Sequence, residues 1–85
     1  MQITVLYFAS LREQLALARE QLDLPDEVRT VGALRRWMLA RGEPFASALA
    51  LGKAVRVAVN QQMANDDELI TTGVEIAYFP PVTGG

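Results

Sequence analysis

Val74-Glu75-Ile76-Ala77-Tyr78-Phe79-Pro80-Pro81-Val82-Thr83-Gly84-Gly85 is the stretch whose reading decides the fold. Its first six residues make one short strand that is apolar on both faces except at Glu75. A strand of that kind belongs inside a sheet, because both of its surfaces need cover. Two prolines end it, since each fixes φ and lacks the N–H that a ladder requires. No linker intervenes, so residues 80–85 read as a flexible tail tethered directly to the core. The tail thins from Pro80, Pro81, Val82 and Thr83 to Gly84 and Gly85, a shape suited to a narrow tunnel. An α-carboxyl titrates near ~3.5, so a carboxylate on Gly85 is ionised at neutral pH and is a poor electrophile until something activates it. The expectation is a small domain that presents this thread to partner enzymes, which charge its tip and then discharge it. The competing expectation is an ordinary frayed chain end.

The matching strand lies at the other end of the chain. In Gln2 to Phe8, Ile3, Val5 and Tyr7 share one face, while Leu6 and Phe8 make part of the other face apolar. Two such strands belong side by side at the centre of a sheet, and the long chain between them permits parallel pairing. Ser10-Leu11-Arg12-Glu13 has the form of a capping box and predicts a helix with Leu11, Leu15 and Ala18 along its inner stripe. Glu20 to Leu24 alternates as a strand with Leu22 and Leu24 inward, closed by Pro25-Asp26.

Thr30 is the expected N-cap of the main helix, Val31 to Arg41, with Val31, Leu34, Trp37 and Met38 on its buried face. Arg35 and Arg36 fall on its solvated side and Gly42 where a left-handed cap is wanted. Pro44 opens a short helical piece to Leu49. Ala54 to Asn60 is a strand carrying Val55, Val57 and Val59 on one face. Asn60-Gln61-Gln62 turns the chain into a brief edge strand at Met63 and Ala64. Asp66-Asp67-Glu68 reads as a turn or helix start and not a metal site, because adjacent carboxylates diverge and a hard cation needs several converging oxygens. Thr72-Gly73 is the last turn. This order predicts an α+β fold: one β-grasp (ubiquitin-like) domain over residues 1–85, a mixed sheet with one main helix packed on one face.

Composition narrows the chemistry. Eighty-five residues suit one core, and 51% are hydrophobic. The chain has no cysteine, which leaves no disulfide and no thiol to act as nucleophile, metal ligand or sulfur carrier. It has no histidine either, so the commonest general base and metal ligand are missing and self-contained catalysis is not expected. A net charge of -2 and a single lysine, Lys53, argue against nucleic acid, which needs clustered cations. No apolar run approaches the ~20 residues of a membrane span, and no signal peptide is read at the start. A cytoplasmic location is expected.

Three segments together resemble one known family. Leu6-Tyr7-Phe8-Ala9-Ser10-Leu11-Arg12-Glu13, Ala58-Val59-Asn60-Gln61 and the ending Ala77-Tyr78-Phe79-Pro80-Pro81-Val82-Thr83-Gly84-Gly85 are similar to the small subunit of molybdopterin synthase, the MoaD family of ubiquitin-like sulfur carriers. The resemblance implies that an activating enzyme like ubiquitin E1 adenylates Gly85 using ATP and Mg. A sulfurtransferase system then replaces the adenylate with sulfur, leaving a thiocarboxylate. It further implies that the loaded tail enters the large synthase subunit, where two such sulfurs convert cyclic pyranopterin monophosphate into a dithiolene. The synthase would be a heterotetramer of two small and two large subunits, and no cofactor would be bound by this chain. The family's apolar partner surface carries over to Phe8, Met63 and Phe79, with Arg12 as a charged contact beside them. Core packing is the competing role for Phe8 and Phe79, and a plain helix surface for Arg12. A carrier for another pathway such as thiamin synthesis, a protein modifier that forms isopeptide bonds, and a passive interaction module are the other functions considered.

Overall fold

The computed structural model describes residues 1–81, so the expectations placed on Val82, Thr83, Gly84 and Gly85 lie outside the described residues. Along the chain run β1 (Gln2–Tyr7), α1 (Ala9–Leu15), β2 (Arg19–Asp23), α2 (Val31–Leu39), α3 (Phe45–Ala48), β3 (Arg56–Val59), β4 (Gln62–Met63) and β5 (Glu75–Phe79). The strands form one sheet in the order β2-β1-β5-β3-β4. β1 and β5 pair in parallel at its centre, with Val5 opposite Ile76 and Tyr7 opposite Tyr78; every other pairing is antiparallel. This is the β-grasp arrangement expected from the two doubly apolar strands.

Period-two alternation divides the sheet into two faces. Val5, Tyr7, Val57, Ile76 and Tyr78 point toward the helices and are buried together with Leu34 and Met38 of α2 and Leu11 and Leu15 of α1. Burial of each such side chain contributes roughly 1.5 to 3 kcal/mol. Tyr7 and Tyr78 stack with ring centroids 6.2 Å apart. The opposite face carries Thr4, Leu6, Ala58, Ala77 and Phe79, as their register shows, and no described helix covers it.

Thr30 caps α2 as expected, its hydroxyl accepting from the Ala33 N–H at 3.1 Å. Gly42 and Gly73 have φ of +87° and +86°, the left-handed region that glycine tolerates without penalty. The turn at Asn60-Gln61 is tighter than its residues suggest, with φ of +49° and +69°. Asn60 is held there by Glu75, whose N–H donates to the Asn60 side-chain oxygen at 2.9 Å and whose carbonyl accepts from the Asn60 N–H at 2.8 Å.

Four local expectations fail. The Ser10–Glu13 capping box does not form: α1 starts at Ala9, one residue earlier, with Phe8 in the cap position and no side-chain capping bond. The Phe8 N–H donates to the Tyr78 carbonyl at 3.1 Å, so the sheet holds the chain up to Phe8 and the helix must begin at once. α1 stops at Leu15 because Ala16 turns left-handed, its N–H reaching back to the Arg12 and Glu13 carbonyls. Ala18 therefore lies beyond the helix and exposed, and Leu17 packs against the core instead. α2 ends at Leu39, before Arg41, and Trp37 is half-buried, whereas Gly32 joins Val31, Leu34 and Met38 on the buried face. Gly32 fits closely there, since a Cβ would come within 3.1 Å of the Asp66 Cβ and would press that residue to shift.

Arg35 is the fourth correction. Far from lying free in solvent, it donates from Nε to the Leu49 carbonyl at 2.8 Å and from Nη2 to the Ala50 and Lys53 carbonyls at 2.6 and 3.1 Å. Three carbonyls at the end of α3 and in the following turn are thereby satisfied by one side chain. Periodicity placed Arg35 correctly on α2 but contains nothing about the loop that comes to meet it.

Candidate functional site

The open face of the sheet is built from residues that alternate with the core. One row crosses four strands: Leu6 on β1, Ala77 on β5, Ala58 on β3 and Met63 on β4, each paired to the next. At about 4.8 Å per strand the row is about 14 Å wide. Ala58 and Ala77 at its centre are small and themselves buried, 7% and 8% exposed, and Met63 at its edge is 57% exposed. The next row toward the end of β5 contains Phe79, whose partner on β3 is Arg56, and Phe8, which follows Tyr7 and is 46% exposed. The exposed large apolar residues of this face are thus Phe8 and Met63 at its margins, with Leu6 and Phe79 half-buried between them; exposed apolar residues gathered on one face mark contact sites more often than scattered ones do.

Three of the residues read from sequence as a partner surface therefore share one face, Phe8 and Phe79 in one row and Met63 in the adjoining one. Phe79 is half-buried, which leaves it available to both core and surface. Arg12 is exposed on α1, one turn after Phe8, whose carbonyl its N–H approaches at 3.4 Å. Pro80 and Pro81, both half-buried, follow β5 directly, beyond the Phe8 and Phe79 row. Leu6, Ala58 and Ala77 were not singled out as site residues from sequence. Their signal was present in the second, weaker apolar alternation of β1, β3 and β5.

Behind the sheet a polar network fixes the ends of β1, β2 and α2. The Tyr7 hydroxyl donates to Glu20 Oε2 at 2.7 Å, and Arg41 grips the same carboxylate with Nη1 and Nη2 at 2.9 and 3.0 Å. Burial and the hydrogen bond to Glu20 push the Tyr7 phenol well above its ordinary range. Burial alone would raise Glu20, but the bonds from Arg41 and Tyr7 outweigh it and hold the carboxyl below the usual range. The Arg41 guanidinium also lies 4.0 Å from the centroid of the Phe45 ring, a favourable cation–π contact. These groups are mutually satisfied and are structural. Among the described residues no group of three or more carboxylates, histidines or cysteines is placed to hold a metal. No described helix is long and apolar enough to cross a membrane. The open face offers apolar contact through Phe8 and Met63.

A ubiquitin-like β-grasp with an apolar open sheet face and a proline-led exit defines a class of carrier and modifier domains. The family model described as the ThiS family matches residues 5–85, and the chain belongs to that family. Molybdopterin synthase sulfur carrier subunits are its curated relatives. That of Escherichia coli K12 is 42% identical over 83 residues, 98% of this chain and 99% of the relative. That of Haemophilus influenzae is 39% identical over 83 residues, with the same coverage. Among solved structures, SAMP1 from Haloferax volcanii superimposes with a TM-score of 0.76 at 26% identity, covering all of both chains.

Proposed function

We propose that this chain is the sulfur carrier of a molybdopterin synthase and acts through Gly85. The observation that carries this reading is the 42% identity to a molybdopterin synthase sulfur carrier subunit over 98% of the chain. The open sheet face supports it physically, because Phe8 and Met63 are large apolar side chains left exposed on one side of the sheet.

In the proposed cycle an E1-like adenylating enzyme docks on the face formed by Phe8, Met63 and Phe79, with Arg12 at its margin. The Gly85 carboxylate oxygen attacks the α-phosphorus of ATP, Mg supporting the leaving group, and pyrophosphate departs. Hydrosulfide, released when a thiol reductant cleaves the persulfide held by a sulfurtransferase, then attacks the acyl adenylate. The C–O bond to AMP breaks, and the C–S bond leaves a thiocarboxylate. Activation is required because the free carboxylate resists nucleophiles, and a chain with no cysteine has no side-chain thiol on which to hold the sulfur. The adenylating enzyme then leaves and the large synthase subunit takes the same face. Pro80 to Gly84 reach into its catalytic pocket, where the thiocarboxylate sulfur attacks cyclic pyranopterin monophosphate and water hydrolyses the resulting thioester, leaving the sulfur on the pterin and restoring the Gly85 carboxylate. The carrier binds no cofactor itself and is not an enzyme alone; the cycle runs in the cytoplasm. Sequential use of one face by two partners suits Met63, whose unbranched thioether adapts to different surfaces.

The test is the intact mass of the chain after incubation with ATP, a sulfur source and the adenylating enzyme, beside a variant lacking Gly85. The expected result is replacement of one oxygen by sulfur in the wild type only. An unchanged wild-type mass with a demonstrably active enzyme refutes the carrier reading, and chain-to-lysine conjugates in its place would make the protein a modifier.

A further inference from the structure

A concave site lies away from the centre of the open face. A cleft of about 360 Å³ runs between the start of α2 and the outer strands β3 and β4, at the small end of the usual size range for ligand pockets. Val31, Val57 and Met63 give it apolar walls, and Arg35, Asp66 and Tyr78 also line it. Two of these polar groups have hydrogen-bonding capacity to spare. The Tyr78 hydroxyl is buried, in a residue 1% exposed, and has no hydrogen-bond partner among the described residues. Its polar end lies in the fields of Arg35 and Asp66, both on the cleft wall. Leaving such a group unpaired costs about as much as a lost hydrogen bond, so it needs a reason.

Arg35 has five N–H donors. Nε and Nη2 are committed to the Leu49, Ala50 and Lys53 carbonyls, and no hydrogen bond from Nη1 is present among the described residues. Its charge meets only neutral carbonyls there, and no described carboxylate pairs with it within 4 Å. With Arg56 at the rim against Asp66, the cleft holds one excess positive charge although the whole chain is at -2. Asp66 sits at the N-terminus of α2, where its carbonyl accepts from the Gly32 N–H at 3.0 Å and the helix dipole offsets part of its charge.

We propose that this cleft is a binding site for a small apolar monocarboxylate. The carboxylate accepts from the Tyr78 hydroxyl and from Nη1 of Arg35, and the hydrocarbon lies along Val31, Val57 and Met63. The cleft shares Met63 with the proposed docking face and reaches Pro81, but the proposal does not rest on the carrier reading and stands whether or not Gly85 is charged.

Hexanoate is the probe. Titration into the full-length ¹⁵N-labelled chain should shift the amides of Arg35, Val57 and Tyr78 saturably, with a Kd on the order of 1 mM, as expected for a ligand of this size. 1-Hexanol should bind roughly tenfold more weakly, and Tyr78→Phe should lose about tenfold for hexanoate while leaving hexanol unchanged, as for a hydrogen bond to a charged acceptor. Sodium chloride at matched ionic strength should reproduce none of the shifts. Equal affinity for hexanoate and hexanol in the wild type overturns the proposal without reference to any variant. So does a lack of saturation, a set of shifts confined to Phe8 and Phe79, or wild-type hexanoate affinity in Tyr78→Phe.

Discussion

Replacing Glu20 with glutamine tests whether the network behind the sheet is a stabilising tie. Glutamine keeps an oxygen for the Tyr7 hydroxyl but surrenders the bidentate ionic contact to Arg41 at 2.9 and 3.0 Å. The pair is partly shielded, with side-chain exposures of 26% for Arg41 and 16% for Glu20, so its value lies between a surface pair at ~0.2 to 1 kcal/mol and a charged hydrogen bond at ~1.5 to 3 kcal/mol. A loss of about 1 to 2 kcal/mol at pH 7 is expected. In a domain of this size that lowers Tm by roughly 5 to 15 °C.

The pH dependence follows from the direction of the Glu20 shift. Its folded pKa is below the unfolded value, so the contribution is fully present above the unfolded pKa of ~4.3 and is lost as pH falls through the folded one. Urea denaturation of wild type and Glu20→Gln at neutral pH and near pH 3 should give a gap that is largest at neutral pH and shrinks in acid, with equal m-values. A gap under about 0.5 kcal/mol at neutral pH, or one unchanged in acid, refutes the reasoning.

Arg35→Gln strips partners from the Leu49, Ala50 and Lys53 carbonyls and should cost about 2 to 4 kcal/mol, read by urea unfolding; a neutral result would show that water replaces the guanidinium. Thr30→Ala removes the cap on the Ala33 N–H and should cost about 1 kcal/mol in the same assay, with Thr30→Ser close to wild type. Phe79→Ala should weaken binding to both proposed partners, an adenylating enzyme and a large synthase subunit, by more than about 1 kcal/mol in calorimetric titration while the fold persists. Unchanged affinity for both would reduce Phe79 to a structural role.

The fold was legible because two strands, β1 and β5, announce themselves as apolar on both faces, and only the centre of a sheet accommodates two of them. The turns at Gly42 and Gly73 and the cap at Thr30 were legible for a similar reason: each rests on a local conformational need that one residue type meets. The capping box at Ser10 was misleading because its logic is local, whereas the start of α1 is set by the hydrogen bond from Phe8 to Tyr78, a strand away. Arg35 was misread for the same cause, its partners being fourteen and more residues distant. Of the candidate surface, Phe8, Met63 and Phe79 were named and share a face, whereas Leu6, Ala58 and Ala77 complete it and emerge only from the cross-strand register. The cleft beside α2 was not legible at all, because it depends on a spare hydroxyl on Tyr78 that composition counts as one more core aromatic.

The parallel pairing of β1 with β5 also governs when this molecule can fold as it is made. Thr4 waits for Glu75, with nearly the whole chain between them, and a ribosome adding ~5 to 20 residues per second takes several seconds to supply it. Throughout that interval Ile3, Val5 and Tyr7 have no neighbour on one side, and no partial chain has a closed sheet to protect it. Contacts this distant in sequence make the closing step slow relative to local helix formation. A product interrupted before Tyr78 therefore lacks part of its central strand and leaves β1 without its parallel partner, a state that exposes apolar surface and is more open to proteases than the finished fold.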